Sequence, residues 1–367
     1  MKDNKKFLFK YLNAYAPVAQ EAEGQQIWKD YIKPYVNHID EDSYGTAYGV
    51  YRSQSYLPNS LGNIRNVPKV VIEAHCDEIA WIITQIEDSG MIRVKRHGGS
   101  DNMIASSKSV WIHTHAGKKV RGVFGWPAIH TRSHSNEEGP EQHELWVDTG
   151  LKDKKAVNKA GVEVGNIITF DTQLEVMGDY YVGRSLDNKI GGYIIAEVLR
   201  KLHEKRVELP FDLYVVNAVQ EEVGLHGARQ IAQTIQPDLA IVHDVSHNTN
   251  TPGYNLAKHG DVKGGMGPTI QYTPQNHRKL NQLIRESAKA KKIPLQLEVG
   301  SMGNDTMAFF LENIPTAIIS SPLKYMHTTV EAVHKKDVKN AIKLYIEVLK
   351  NLSPEFLNNI SNNHLTN

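Results

Sequence analysis

Side chains that can bind a metal ion or move a proton stand at the ends of several short apolar runs in the sequence. In chain order they are His75 and Asp77, Asp187, the pair Glu221 and Glu222, Asp244, and His327. In an open α/β sheet, ligands bind beyond the carboxyl ends of the strands. If the apolar runs are strands of one sheet, these side chains could therefore converge on one place. Imidazole nitrogens and carboxylate oxygens are ligands for divalent metals, so the set could hold metal ions.

Each member of this set also has a purely structural interpretation. His75 and Asp77 are two residues apart, on the same face of a strand, where the carboxylate could accept the second ring N–H of a metal-bound histidine. A histidine at the end of a strand can equally make an ordinary structural hydrogen bond. Asp187 precedes an apolar helical pattern and could be a plain helix N-cap. Taken singly, Asp244 and His327 do not decide between the two interpretations.

The adjacent glutamates Glu221 and Glu222 are more informative than the single residues. Two carboxylates side by side at the end of a buried strand repel each other, and each is costly to desolvate. A solvated loop would relieve that cost, but the flanking Val219, Val223 and Gly224 make full exposure less attractive. A metal ion would neutralise one carboxylate and leave the other free to act as a base.

The composition excludes several classes of protein. The chain has 42 Lys+Arg against 41 Asp+Glu, and this near-neutral balance argues against a nucleic-acid or anionic-membrane protein. A single cysteine allows neither an intramolecular disulfide nor a Cys-based zinc finger, so a metal site must use His, Asp and Glu. Phosphate-loop, dinucleotide-binding, G-x-S-x-G and H-E-x-x-H motifs are all absent.

The hydropathy predicts no membrane segment. The apolar start at 7–9 is too short for a signal sequence, and no stretch approaches the roughly 18 apolar residues that cross a bilayer. We expect a cytoplasmic protein that binds neither membranes nor nucleic acids.

The hydrophobic pattern predicts an α/β fold in which a mostly parallel sheet carries helices on both faces. Short β-branched runs at 70–74, 213–219 and 239–242 are typical of buried strands. They alternate with helical patterns such as those at 190–202 and 338–352, the first of them amphipathic. This framework would position the polar side chains at one edge of the sheet.

The pattern changes within the chain, which predicts two domains. Short alternating segments between glycines and polar turns fill 84–178 and indicate a small inserted all-β barrel or sandwich. Residues 1–83 plus 179–352 then form the catalytic α/β domain. We expect a helix over 7–37 and a frayed polar tail over 353–367.

The polar segments, taken together, resemble a known family. They are His75-Cys76-Asp77-Glu78-Ile79, Leu186-Asp187-Asn188, Val219-Gln220-Glu221-Glu222-Val223-Gly224, Asp244 and Tyr325-Met326-His327. In this order they look like the dinuclear metallopeptidases of the tetrahedral (TET) aminopeptidase family. That family includes glutamyl and deblocking aminopeptidases and some members mislabelled endoglucanases. The resemblance extends from about residue 7 to residue 350. The chain departs from the family pattern at His226, Asn304 and Lys324, none of which is an expected ligand.

The resemblance implies two divalent metal ions per subunit, zinc first and cobalt or manganese as alternatives. His75, Asp187 and Asp244 would hold one ion. Asp187, Glu222 and His327 would hold the other, so that Asp187 bridges the pair. Peptides would be the substrates.

The resemblance also implies roles beyond metal binding. Glu221 would be the general base, and Asp77 would orient His75. The inserted β domain would form dimers, and dimers could assemble into a twelve-subunit shell. We therefore expect a homo-oligomer.

Two other functions remain open at this point. A different hydrolase on the same dinuclear core, such as a deacylase or carboxypeptidase, would need an arginine clamp, and we place none. A non-catalytic assembly or binding protein of the same fold would more readily have lost Glu221 or a ligand. All of these residues are present, so we favour the metal-dependent aminopeptidase.

Overall fold

The computed structural model describes residues 4–53, 67–132, 139–300 and 303–360. Its helices are α1 Lys5–Asn13, α2 Ala22–Ile32, α3 Asn102–Ala105, α4 Lys154–Lys159, α5 Leu186–Glu204, α6 His226–Ile235, α7 Leu256–His259, α8 Arg278–Ala290, α9 Thr306–Leu311, α10 Lys335–Asn351 and α11 Pro354–Ile360. Its strands are β1 His38–Glu41, β2 Ala47–Tyr51, β3 Lys69–His75, β4 Ala80–Ile86, β5 Ile92–His97, β6 Ser109–His113, β7 Lys119–Phe124, β8 Trp146–Asp148, β9 Ile167–Phe170, β10 Glu175–Met177, β11 Tyr180–Gly183, β12 Asp212–Ala218, β13 Leu239–His247, β14 Thr269–Gln271, β15 Gln296–Glu298, β16 Thr316–Lys324 and β17 Glu331–His334.

The main sheet has a parallel centre and antiparallel flanks. Its strand order is β1-β2-β12-β3-β13-β16-β17-β11-β10, and β14 joins β16 to β15. The strands β12, β3, β13 and β16 run parallel, whereas β2 and β17 pair antiparallel at the two sides of this centre. The predicted α/β class is confirmed, although the parallel pairing is confined to the centre and to β14–β15.

Helices cover both faces of the central strands. Alternate side chains of β3 enter different cores: Val70 and Ile72 pack with residues of α5 and α10, and Val71 packs with residues of α6 and α9. This two-residue period is that of a strand buried on both faces. Burying an aliphatic side chain of this size contributes about 1.5–3 kcal/mol, so the apolar run favours the central position.

Helix α5 is buried on nearly all sides, which differs from the amphipathic helix that the sequence predicted. It packs against β3 and against α1, α2 and α10, and even its charged residues Lys189 and Glu197 are buried. The difference arises because a second layer of helices covers the face that would otherwise meet solvent.

The inserted segment forms a closed barrel of order β4-β5-β8-β7-β6-β9. Its core contains Trp81, Phe124 and Ile168, and the Trp81 and Phe124 rings meet edge-on at 5.3 Å. The barrel strands run from Ala80 to Phe170, so the predicted boundary at 83/84 falls inside β4. The boundary at 178/179 falls after β10, which already pairs in the main sheet. We retain the two-domain division as a proposal with these strand bounds.

Two further expectations about the ends of the chain are wrong. The helix expected over 7–37 is two helices, α1 and α2, with residues 14–21 between them. The tail expected to fray contains α11, which buries Leu357 and Ile360 in the main core because these apolar side chains lie on one helical face. Residues 361–367 lie outside the described part of the chain.

Within the residues that the structure describes, no helix combines the length and the apolar character needed to cross a bilayer.

Candidate metal centre

All seven residues expected at the site lie together at the carboxyl edge of the parallel strands. His75 is the last residue of β3, and Ala218, the last residue of β12, is its partner in the register. Glu221 and Glu222 follow β12, and Asp244 lies within β13, beside Ser320 of β16. Asp187 is in the first turn of α5, and His327 is in the loop between β16 and β17.

The atoms that could bind a metal ion form two groups. One group contains His75, Glu221 and Asp244, the other contains Asp187, Glu222 and His327, and within each group all the ligand atoms lie within 4.8 Å of one another. The sequence expected Asp187 rather than Glu221 beside His75 and Asp244.

Asp187 lies between the two groups. Its Oδ1 is 3.3 Å from Nε2 of His75, and its Oδ2 is 3.3 Å from Nε2 of His327. His327 Nε2 is also 3.3 Å from Glu222 Oε1. The backbone of Asp187 is not helical. Because each of its oxygens faces one histidine, Asp187 does more than the plain helix cap that the sequence left open.

These separations fit a shared metal ion. Two ligand atoms that are each about 2.1 Å from one ion, at a tetrahedral angle, lie about 3.4 Å apart. The 3.3 Å distances of Asp187 and Glu222 to His327 match this value. His75 Nε2 is 3.8 Å from both Asp244 Oδ1 and Glu221 Oε2, which is close to it. The donor set, two imidazoles with several carboxylates, suits a divalent cation.

Asp77 contacts both the histidine and the glutamate pair. Its Oδ1 is 3.5 Å from Nδ1 of His75, and this nitrogen is 3.2 Å from the Asp77 carbonyl oxygen. Its carboxylate also accepts hydrogen bonds from the backbone N–H groups of Glu221 and Glu222, each at 3.1 Å. A single fully buried carboxylate therefore ties the end of β3 to the loop after β12.

Ionisation of the acidic side chains of the centre costs free energy when no cation balances their charge. Burial and the nearby Asp187 raise the pKa of Asp244 from 3.8 to about 7. Burial likewise raises the pKa values of Glu221 and Glu222, the first of them well above its ordinary range. Burial alone would lower the pKa of His327, but Asp187 and Glu222 raise it to about 12. A bound cation would relieve this mutual repulsion.

The centre opens into a cleft of about 470 Å³. The candidate metal ligands line the cleft together with residues of β14, β15 and α7, among them Gln271, Glu298 and Lys258. A cleft with acidic residues at its base and room for several side chains can admit the end of a peptide.

The comparison with protein families decides which family this chain belongs to. A sequence model of the M42 glutamyl aminopeptidases matches residues 60–344, well over half of the 367 residues. The chain belongs to the M42 glutamyl aminopeptidase family. The resemblance drawn from the polar segments is thereby confirmed, and this M42 chain is a hydrolase that acts on peptides.

Individual relatives agree with the assignment to M42. The lysyl aminopeptidase of Pyrococcus furiosus is 31% identical over 314 residues, which are 81% of this chain and 87% of that protein. An aminopeptidase from the archaeon Desulfurococcus kamchatkensis matches with a TM-score of 0.88 and 29% identity, over 97% of this chain and 96% of that one. The TET1 peptidase of Pyrococcus horikoshii, described as able to assemble into a tetrahedron or a large octahedral shell, matches with a TM-score of 0.83 and 25% identity, over 95% of this chain and 99% of that one.

Glu331 was missed by the sequence analysis of this M42 chain, yet it holds two of the expected ligands in place. It is 2% exposed, and its carboxylate accepts hydrogen bonds from the backbone N–H groups of Asp187 at 3.1 Å and His327 at 2.8 Å. These bonds join the start of α5 to the loop after β16. The only signal in the sequence is a glutamate four residues after His327.

The barrel also reaches the metal centre. The carbonyl oxygen of Gly99, in the loop after β5, is 3.1 Å from Nδ1 of His327. A Cβ atom at residue 99 would lie 2.5 Å from Cε1 of His327, so only glycine allows this approach. The contact fixes the ring so that Nε2 faces the carboxylates.

A second acidic pair lies behind the ligands. Glu73 of β3 and Asp305, just before α9, are both buried, and none of their carboxylate oxygens has a hydrogen-bond partner among the described residues. Burial raises the pKa of Glu73 to about 8 and that of Asp305 well above its usual range. The sequence placed Glu73 inside a strand but did not pair it with Asp305.

Proposed function

We propose that this M42 protein is a metal-dependent aminopeptidase that removes N-terminal residues from peptides and uses two divalent ions per subunit. One observation carries the proposal: the two oxygens of Asp187 lie 3.3 Å from histidines of opposite ligand groups, as a bridging carboxylate requires. The M42 membership and the aminopeptidase relatives support the same reaction.

We assign His75, Asp187 and Asp244 to one ion and Asp187, Glu222 and His327 to the other. Glu221 belongs to the first ligand group as well, but it lies 3.8 Å from His75 whereas Asp187 lies 3.3 Å from it. The shorter distance supports Asp187 as a ligand. Asp244 lies at the same 3.8 Å from His75 as Glu221, so the assignment of Glu221 to proton transfer rests on the family resemblance. Asp77 would orient His75 and hold the loop of the glutamate pair.

When bound, two divalent ions would polarise the scissile carbonyl group and lower the pKa of water to near neutrality. Zinc suits the mixed nitrogen and oxygen ligands, with cobalt and manganese as alternatives. Glu221 would accept the proton of the attacking water and pass it to the leaving amine.

The proposed ions would also account for selection of a free N-terminus. The neutral α-amine of a peptide would be a further ligand of one ion at the cleft that Glu222 and Asp244 line. An N-blocked peptide has no such amine.

The test compares free and blocked substrates. Leucyl p-nitroanilide and its N-acetyl form are offered to protein reconstituted with zinc, cobalt or manganese, and to the same protein after chelation. We expect cleavage of the free form only, its loss on chelation, and a decrease of 10²–10⁴-fold in the E221Q variant. The variant E208Q, which changes an exposed glutamate, is the control. Full activity in chelated protein or in E221Q would overturn the mechanism. Release of p-nitroaniline from the blocked form would exclude a requirement for a free N-terminus, and release of acetate from it would indicate a deacylase.

We further propose that the protein is a homo-oligomer built from dimers, with twelve subunits as one possible assembly. The assembly described for the Pyrococcus horikoshii TET1 peptidase supports this. Native mass spectrometry of the purified protein would test it, and a monomer at micromolar concentration would exclude it. The cytoplasmic location stays a prediction.

A further inference from the structure

A groove of about 910 Å³, separate from the cleft, is lined by residues of α8, of β15 and of the chain just after β14. It is called the basic groove, and its lining includes Tyr272, Arg278, Arg285, Lys289, Leu295 and Leu297. We propose that the basic groove binds an acidic stretch of the peptide substrate, downstream of the N-terminal residue that is removed. The inference rests on the proposed aminopeptidase function and adds a substrate class, peptides with glutamate or aspartate along the chain.

Helix α8 gives the basic groove its positive charge. Arg278, Arg285 and Lys289 are exposed and recur at helical spacing, so they follow one face of the helix. None of these three cations forms an ion pair within the part of the chain that the structure describes. Glu286 also lines the groove, but its Oε1 accepts a hydrogen bond from Gln282 at 2.8 Å. In a chain with a net charge of +1, the groove therefore concentrates positive charge without counter-charges.

The basic groove also has an apolar component. Leu295 and Leu297 lie two residues apart along the extended chain and so share one face, and Leu297 is 50% exposed. The exposed Tyr272 accepts a hydrogen bond from Nη1 of Arg285 at 3.1 Å. A bound peptide that covers these side chains would bury apolar area, which favours binding. The groove thus suits a peptide that combines acidic and apolar side chains.

The outer edge of β15 can bind a peptide main chain. Among the described strands, β15 pairs with β14 alone. Gln296 donates its backbone N–H to the carbonyl oxygen of Pro268 at 2.9 Å, on the β14 side. The carbonyl oxygen of Glu298 accepts the N–H of Tyr272 at 2.8 Å on the same side. Because the backbone groups of successive residues point to opposite sides of a strand, those of Leu297 face the free edge, where an extended peptide could pair with them.

The basic groove and the cleft of the metal centre meet at β15. Leu297 lines the groove, whereas the two residues that follow it, Glu298 and Val299, line the cleft. Consecutive Cα atoms are about 3.8 Å apart, so the two cavities lie on either side of one strand edge. Val299 is 87% exposed and leaves this edge open to a ligand. A peptide whose N-terminus is bound at the metal centre could therefore cross the edge and place its later residues in the groove.

Charge decides which peptides the basic groove favours. The carboxylates of glutamate and aspartate are complementary to arginine and lysine, and arginine can bind a carboxylate through two parallel hydrogen bonds. Each contact with an exposed cation contributes little by itself, so a stretch with at least two acidic residues is needed. The groove is remote from the reacting atoms and would bind the ground state and the transition state equally. Its occupation should therefore lower KM and leave kcat unchanged.

The test uses peptides of about twelve residues that begin with leucine and carry a Glu-Glu pair at successive positions along an alanine-rich chain. Each has a partner with Gln-Gln at the same position. We measure the initial release of leucine by the metal-loaded enzyme. At one or more positions beyond the first few residues, we expect kcat/KM to favour the Glu-Glu peptide by about 5-fold or more, through KM, as for two to three exposed ion pairs.

Three variants test whether the basic groove causes this preference. In R285Q/K289Q the ratio of the Glu-Glu to the Gln-Gln peptide should fall to near one. The charge-retaining R285K/K289R should keep most of it. The matched control is K339Q/K343Q, which removes two exposed lysines of α10 and should keep the wild-type ratio. Thermal unfolding checks that each variant is folded.

A binding arm separates this inference from the proposed function. N-acetylated, fluorescein-labelled Glu-Glu and Gln-Gln peptides are titrated into the metal-loaded wild type and R285Q/K289Q, and fluorescence anisotropy is measured. If neither the peptides nor leucyl p-nitroanilide are hydrolysed, the proposed function fails, and the ratio of the two affinities still tests the groove.

Three results would overturn the inference. The first is hydrolysis of leucyl p-nitroanilide together with equal cleavage of Glu-Glu and Gln-Gln peptides at every position. The second is a preference for Glu-Glu that survives in R285Q/K289Q. The third is a change of oligomeric state in R285Q/K289Q by sedimentation velocity, which would assign the basic groove to a contact between copies of this chain.

Discussion

Two buried clusters of charge lie close together in this protein and are balanced in opposite ways. The first surrounds Glu78, three residues after His75, and the second is the metal centre itself. Glu78 forms ion pairs with Arg184 and Lys189, both buried, and also accepts the backbone N–H of Ala16 at 2.9 Å. The chain itself thus supplies the cations for this carboxylate.

The metal centre has many more carboxylates than cationic partners. Four carboxylates meet there: Asp187, Glu221, Glu222 and Asp244. Two histidines contact them, His75 and His327. The pKa values show the contrast. Burial alone would raise the pKa of Glu78, but Arg184 and Lys189 lower it to about 2, whereas that of Asp244 rises to about 7.

A buried carboxylate is therefore not by itself evidence for a metal site. A buried carboxylate with its own lysine or arginine is part of the scaffold. Buried carboxylates that exceed the available cations need a cation from outside the chain.

Removal of Arg184, one of the two cations paired with Glu78, should cause the largest loss of stability. We expect R184M to lose about 3–5 kcal/mol of unfolding free energy, because Glu78 is then left buried without its main partner. Urea unfolding of the metal-free protein measures this loss. The control is R121M, whose ion pair with Asp171 is half-exposed and should contribute less than about 1 kcal/mol. Equal losses in the two variants would refute the distinction.

Low pH should remove the stabilisation that the ion pairs of Glu78 give to the folded protein. The pKa of Glu78 is lowered from 4.5 to about 2, so the unfolded chain binds more protons between these values and stability falls as the pH falls. The contribution is fully present above about pH 4.5 and is on the order of 3 kcal/mol. Unfolding of wild type and E78Q from pH 6 to pH 2.5 should show their difference shrinking through this window. A difference that does not vary with pH would contradict the assignment.

Loss of Glu331 should weaken the metal centre without removing a ligand. The E331Q variant replaces a carboxylate that fixes the backbone of Asp187 and His327 with a weaker acceptor. We expect metal affinity or kcat/KM to fall by about 10–100-fold. Zinc titration and peptide hydrolysis measure the two quantities, and E208Q is again the control. Wild-type affinity in E331Q would show that these hydrogen bonds do not position the ligands.

Removal of one acid from the metal centre should change the stability of the metal-free protein least. In D244N the repulsion from Asp187 is relieved, so we expect the unfolding free energy without metal to be unchanged or higher by about 1 kcal/mol. The stabilisation that zinc gives to the wild type should be lost. Thermal unfolding with and without zinc checks both statements. A large destabilisation of metal-free D244N would place Asp244 in the scaffold instead.

The sequence predicted the elements whose pattern is local. The strands β3, β12 and β13 and the helices α5 and α10 follow from apolar runs and periodicity, and the short alternating segments of the insertion predicted the barrel. The sequence did not predict that Ala80–Ile86 belongs to the barrel, since a buried barrel strand and a buried sheet strand have the same pattern. Nor did it predict α11, whose few apolar residues resemble those of a tail.

The polar residues of the site also divide into those that a local sequence pattern marks and those that only long-range contacts reveal. Strand ends and family motifs mark the predicted metal ligands in the sequence, namely His75, Asp187, Glu222, Asp244 and His327. They do not mark Glu331 and Gly99, because each acts through a contact between segments that are far apart along the chain. The Gly99–His327 contact spans 228 positions, and no local pattern reports it.

The sequence by itself determines which residues are available: a surplus of strand-end carboxylates, two histidines beside them and a single cysteine that excludes a Cys-based zinc finger. The balance of their charges follows from the fold. It places Arg184 and Lys189 on Glu78, whereas the carboxylates proposed as metal ligands have no Lys or Arg partner among the described residues. The physical reason is that the energy of a buried charge depends on the few ångströms to its nearest counter-charge, and folding alone sets that distance.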